Sequence, residues 1–243
     1  MKFIPLASGS SGNAYLIDDG ETRLALECGV TFTKLRKLAG FDLSNIAACL
    51  ITHEHGDHAK CADKIIQRGV RVYATAGTRD ALNNPLIDAL KSDGRGGYQA
   101  FQAGSYDVLP FRVFHDAAEP VGYFIQSRAD GDRLIFATDT VNLAYQFPGV
   151  TVAAIECNHD DAIVERIHEL PERQAKHLKR ASNTHMSVSR CCRFLAKIDK
   201  SRLREVYLLH LSDAFSNETA FRTAAERVVG PGVRVTVCPK ERL

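Results

Sequence analysis

Short apolar runs of strand length recur along the whole of this 243-residue chain, with helical periodicity between them. The first are Lys2 to Leu6, Ala14 to Ile17, Arg23 to Leu26, Ala47 to Ile51 and Val70 to Tyr73. Tyr106 to Leu109, Arg112 to Phe114, Gly122 to Gln126 and Leu134 to Ala137 continue the series. Val150 to Ile155, Val206 to Leu209 and Val233 to Val237 complete it. β-Branched and aromatic residues in runs of this length favour strands. Helices are expected over Thr33 to Leu38, His58 to Arg68, Thr78 to Leu90, Ser187 to Ile198 and Glu218 to Val228. Val188, Cys191, Cys192, Leu195 and Ile198 trace one face of the fourth. Strands with interspersed helices predict an α/β chain of two sheets covered by helices. No linker composition interrupts it, so a single domain over residues 1–243 is expected; Asp93 to Gly97 reads as a loop tip.

One of these runs, Ala47 to Ile51, leads directly into Thr52-His53-Glu54-His55-Gly56-Asp57-His58. Three imidazoles and two carboxylates within seven positions form a donor set suited to Zn²⁺ and similar divalent ions. A polar surface turn with chance histidines is the alternative. At a strand end, residues two apart point the same way, so His53 and His55 can share one ion. A following turn would swing Asp57 and His58 toward a second. Three more polar groups stand after apolar runs: His115, Asp139 and His210. Each alone reads as a turn or capping residue; together they repeat a pattern of strand followed by ligand. His168 and His177, among Glu, Lys and Arg, read as solvated helix residues, and His159 as a loop or supporting group.

Bulk properties remove several classes. Net charge is +2, so no global field favours nucleic acid or membrane. No apolar stretch approaches a bilayer span, and Pro5 with a Ser/Gly tract breaks the first eighteen residues, so no apolar signal core is expected there. Seven scattered cysteines form no CxxC pair or disulfide framework, which fits a reducing cytoplasm. Charge is nevertheless uneven: between Glu165 and Arg204, eleven basic residues face four acidic ones. That segment could track a phosphate backbone or be a solvated helix face.

His53-Glu54-His55-Gly56-Asp57-His58 with His115, Asp139 and His210, in that order, resembles the metallo-β-lactamase superfamily over nearly the whole chain. The resemblance implies a four-layer αββα sandwich and two divalent metal ions, Zn²⁺ first and Mn²⁺ as the alternative. By position, His53, His55 and His115 would hold one ion, Asp57, His58 and His210 the other, and Asp139 would bridge them. The segments Leu6 to Asn13, His115 to Tyr123, Glu156 to Asp160 and His210 to Ser212 look like the YycJ/WalJ-type group. That group is related to tRNA 3′-processing endonucleases and associated with 5′–3′ DNA exonuclease activity. Glu156 and His185 resemble the Glu and His that those endonucleases place near the leaving group.

Two departures narrow the reading. Twenty-four positions from His115 to Asp139 leave no room for a tRNA-gripping arm. Glu27-Cys28-Gly29 occupies the place of the usual Asp-x-Gly turn, where Glu27 could serve as a structural hydrogen-bond acceptor. The expected function is a dinuclear, metal-dependent phosphodiester hydrolase acting on nucleic acid, DNA before RNA. Asp57 would orient water and accept its proton; His185 would serve the leaving oxygen, with Glu156 fixing its tautomer. A cyclic nucleotide phosphodiesterase and a small-molecule ester or thioester hydrolase are the alternatives, since fold does not fix substrate. The expected compartment is the cytoplasm, without a membrane partner; a homo-oligomer stays open.

Overall fold

The computed structural model describes residues 1–40, 43 and 45–241. The chain divides into two compact units: Met1–Arg112 with Ala117–Leu134 and Cys238–Leu243, and Val113–Asp116 with Ile135–Val237.

The first unit holds a six-stranded sheet in the order β1-β2-β3-β4-β5-β6. Strands β1 (Lys2–Ala7), β2 (Ala14–Asp18) and β3 (Arg23–Leu26) are antiparallel neighbours. From β3 onward, β4 (Ile46–Leu50), β5 (Arg71–Ala74) and β6 (Asp88–Ala89) run parallel. Parallel strands need crossovers, here supplied by α1 (Phe32–Leu38), α2 (Gly56–Ala59) with α3 (Ala62–Ile66), and α4 (Ala76–Ala81). Leu16, Ala25, Cys49 and Val72 from the sheet and Ile51 just after β4 join Leu35 and Ile65 from the helices in one buried cluster. That burial explains why β4 reads as a nearly continuous apolar run. The unit also contains β7 (Phe101–Ala103), β8 (Tyr106–Arg112) and β9 (Val121–Ser127), paired antiparallel with Val108 opposite Ile125.

In the second unit β11 (Val152–Glu156), β12 (Glu205–Leu209) and β13 (Arg234–Val237) are parallel, with Ile155 opposite Leu208. Every residue of β11 is buried. Beside them come α5 (Asp161–Glu165), a 3-10 turn (Ile167–Glu169), α6 (Glu172–Thr184), α7 (Val188–Lys197) and α8 (Glu218–Val229). Ser187 and Asn217 cap α7 and α8, each side chain accepting from a first-turn N–H. β10 (Arg133–Ala137) begins in the first unit and ends in the second. β7 to β13 make up the second, seven-stranded sheet, so the chain has two mixed sheets with helices, the α/β class expected.

Three expected elements differ. The helix foreseen from His58 to Arg68 is two helices, because the Cys61 N–H bonds the Cys28 carbonyl (3.1 Å) at the break. The helix foreseen from Thr78 to Leu90 is α4 alone. Asn83 turns left-handed (φ 49°) and Pro85 follows, so the chain re-enters the sheet as β6. Val113 and Phe114 lie beyond the end of β8: the Phe114 N–H goes to Thr140 Oγ1 and its carbonyl accepts from Val141. Among the described residues no helix is long and apolar enough to cross a membrane, and all seven cysteines are free.

Candidate metal centre

The first unit carries the histidine-rich turn. β4 ends at Leu50, so His53 and His55 sit in a loop rather than on the strand assumed from their spacing. Their rings still meet, with centroids 4.6 Å apart, and the His53 and His58 rings are 4.1 Å apart. His53 and His58 are fully buried. Thr52 Oγ1 lies 2.9 Å from His53 Nδ1, which fixes that ring and turns Nε2 to the other side. Glu54 is spent elsewhere: its carboxylate accepts from the Ala118 N–H at 2.7 Å.

His58 and Asp57 rest on the turn after β3. Glu27 adopts a left-handed conformation (φ 64°) that places its buried carboxylate 3.4 Å from His58 Nδ1 and 3.3 Å from the Thr52 N–H. Burial pushes its carboxyl above the usual carboxylate range, and the neighbouring His58 opposes that rise. The acceptor role expected for Glu27 is therefore present. Below it, the Cys28 N–H bonds the His58 carbonyl (2.8 Å). Asn13 donates from its backbone and from Nδ2 to the Asp57 carbonyl (2.8 and 3.1 Å). Gly29 is required there: a Cβ would fall 1.6 Å from the Asp57 carbonyl oxygen. Asp57 Oδ2 comes within 3.5 Å of His58 Nε2.

The second unit brings together His115, Asp139, Glu156, His185 and His210. Asp139 Oδ2 lies 3.6 Å from His115 Nε2, and its Oδ1 lies 3.8 Å from His210 Nε2. His115 Nδ1 sits 2.9 Å from the Thr184 carbonyl, so that nitrogen carries the proton and Nε2 keeps its lone pair. Burial pulls the His115 ring below the ordinary imidazole value, with Asp139 opposing, so the neutral, ligating form is favoured. Asn158 Nδ2 donates to the His210 carbonyl (2.8 Å) and lies 3.2 Å from His210 Nδ1. Asp139 (φ 49°) and His210 (φ 53°) are left-handed, like Glu27; only Asn83 joins them among the described non-glycine residues. Such strain gathers where surrounding structure holds a functional geometry in place.

Glu156 closes β11 and is fully buried. Its Oε2 accepts from the Thr140 and Met186 N–H groups (2.8 and 3.0 Å), and its Oε1 lies 2.6 Å from His185 Nδ1. The His185 side chain is 16% exposed, with Nδ1 3.9 Å from Asp139 and its ring stacked on His210 at 5.2 Å. Asp139, Glu156, His185 and His210 could themselves surround an ion. The two backbone donors and the His185 ring already engage both Glu156 oxygens, which suits an orienting carboxylate better than a ligand. His159 is buried and its carbonyl accepts from Val188, so it anchors the start of α7. His168 is 76% exposed and His177 is also solvated.

Sequence reasoning gave no role to Asn13, Thr52, Asn158 or the Thr184 carbonyl. Asn13 and Asn158 stand in conspicuous Gly-Asn and Cys-Asn-His contexts and could have been flagged. A backbone carbonyl carries no residue signature.

The chain belongs to the beta-lactamase superfamily: the pattern of the Beta-lactamase superfamily domain matches residues 18–211. It is similar to exodeoxyribonuclease YycJ of Bacillus anthracis, 28% identical over 225 residues that cover 87% of this chain and 83% of that one. Exodeoxyribonuclease WalJ of Streptococcus pneumoniae is 28% identical over 226 residues, 87% of this chain and 81% of that one. Among solved structures, the metallo-β-lactamase fold protein YhfI from Bacillus subtilis superposes with a TM-score of 0.73 at 17% identity. That match covers 99% of this chain and 97% of YhfI, and it shows the shared fold.

Proposed function

We propose that this chain is a metal-dependent hydrolase of phosphodiester bonds, and specifically a DNA exonuclease working in the 5′–3′ direction. The observation that carries the reading is the pair formed by His185 and the buried Glu156, 2.6 Å apart and adjoining Asp139 and His210. An imidazole backed by a buried carboxylate can hold a proton at Nε2 and deliver it to a departing alkoxide. The similarity to the two exodeoxyribonucleases supports DNA as substrate.

The two units would act as one catalytic domain. Their donor sets fit divalent metal: buried imidazoles whose second nitrogen faces a fixed partner, together with carboxylates. His53, His55 and His115 would hold one ion, Asp57, His58 and His210 the second, and Asp139 would serve both. Zn²⁺ suits imidazole-rich donors, with Mn²⁺ as the alternative. When bound, such ions acidify water and neutralise phosphate charge. Asp57 orients the attacking water and takes its proton. His185 protonates the departing oxygen while Glu156 accepts the Nδ1–H and stabilises the resulting charge distribution. Seven free cysteines support a reducing, cytoplasmic setting.

Purified protein loaded with Zn²⁺ or Mn²⁺ should release mononucleotides from end-labelled single-stranded DNA, starting at the 5′ end. Opening of cyclic mononucleotides with no action on DNA or RNA would replace this reading with the small-molecule alternative.

A further inference from the structure

In the second unit, two elements leave the candidate centre side by side. The loop after Asp139 runs through Asn142 to Pro148, and α7 begins three residues after His185. Arg190 joins them, its guanidinium donating to the Val141 carbonyl at 3.4 Å. Between the loop and the helix lies a groove of about 640 Å³. Beside it lies a second pocket of about 350 Å³ that shares Asn142, Leu143, Phe194 and Lys197 with it and adds Arg190 and Arg193; these two and Lys197 fall at i, i+3 and i+7 on α7, and no acidic residue lines this second pocket. The loop side of the larger groove carries Tyr145, 41% exposed, and Phe147, their ring centroids 6.1 Å apart, and Lys197 lines the same groove from α7. Asp199 is the one acidic residue at the far end, and its carboxylate already accepts from the Ser201 N–H and hydroxyl.

A cationic helix face continuous with a groove that holds two aromatic rings is a poor fit for an apolar peptide and a good one for unpaired nucleotides. Phosphates need the fixed positive charge, and bases present π-faces of any sequence. We propose that this groove binds a single-stranded segment of the nucleic-acid substrate, with phosphates along Arg190, Arg193 and Lys197 and bases on Tyr145 and Phe147. The inference rests on the phosphodiesterase reading above and specifies its substrate as a single strand. The basic segment noted in the sequence is thereby divided: α7 supplies the strand contacts. On α6 two of the charges are met locally, Lys176 by Glu172 and Arg180 by Asp116.

The test is fluorescence anisotropy of the full chain with labelled oligo-dT, oligo-U and a duplex of equal length, in chelator so that no turnover occurs. The wild type should bind both single strands within a few-fold of each other and the duplex more weakly. R193A/K197A should flatten the log–log salt slope by roughly 1.4, from two lost phosphate contacts. Y145A and F147A should each weaken oligo-dT binding by roughly 5- to 150-fold. An unchanged slope together with unchanged affinity in the aromatic variants overturns the groove, as does preference for duplex. Photocrosslinking of 5-iododeoxyuridine oligomers to the wild type needs no variant to fold; adducts at Tyr145 or Phe147 support the proposal and adducts elsewhere overturn it. Hydrolysis of bis(p-nitrophenyl) phosphate by the wild type tests the phosphodiesterase reading separately, because so small an ester needs no strand path.

Discussion

The duties proposed for Asp57 and His185 are opposite, so their variants should fail in different ways. Asp57 is proposed both as a ligand and as the acceptor of the proton from water, so D57A should abolish turnover, measured as mononucleotide release. His185 is proposed to serve only the departing oxygen, so H185A should lower kcat by roughly 10²- to 10⁴-fold, the range of general acid–base catalysis. Bound metal, measured by elemental analysis, should stay at the wild-type level in H185A. Unchanged hydrolysis would remove the proposed role of His185, and lost metal would make it a ligand. The candidate ligands themselves were legible because imidazole and carboxylate at this density have few other uses. Glu54 shows the limit of that argument, since the motif offers it as a donor and the fold spends it on the Ala118 N–H.

At the scale of elements, the turn after β3 and the crossover at α2 form one support. Gly29 lies against the Asp57 carbonyl with no room for a methyl group. G29A should therefore cost about 1–3 kcal/mol or more in urea unfolding, as overpacking does, and should weaken metal binding because Asp57 must shift. Tyr123 on β9 supports the same region from another side: its buried hydroxyl donates to the Ile51 carbonyl at 2.6 Å, two residues before His53. Y123F would leave that carbonyl buried and unpaired, a loss of about 1–3 kcal/mol by the same measurement. Neither contact could be read from sequence, since each joins a side chain or backbone to a segment far along the chain. The element boundaries show a similar division. α7 and α8 were foreseen nearly to the residue because periodicity and a capping Ser or Asn agree. The break at Cys61 was not, because its cause is a carbonyl on another turn.

For the whole molecule, stability and metal are expected to be linked. A ligand that binds only the folded chain raises the melting temperature by mass action. Chelator-stripped protein should therefore melt at a lower temperature than the same protein with Zn²⁺ or Mn²⁺ restored, and the difference should grow with metal concentration. A melting temperature indifferent to both ions would count against any metal centre in this chain. The twenty-four positions from His115 to Asp139, too few on the sequence reading for a protruding arm, hold β9, a turn and β10.

The linear chain by itself determined the class of fold, through run length and periodicity, and the chemistry, through the kinds of donor placed after its strands. Those are local properties, fixed by residue type and spacing. Tertiary structure decided which nitrogen of each imidazole faces outward, that Glu27 backs His58 and Glu156 backs His185, and that α7 of the basic segment lines a groove. Each of these depends on contacts between residues distant in sequence, often with a backbone carbonyl or amide as one partner, and such partners leave no mark on the order of amino acids.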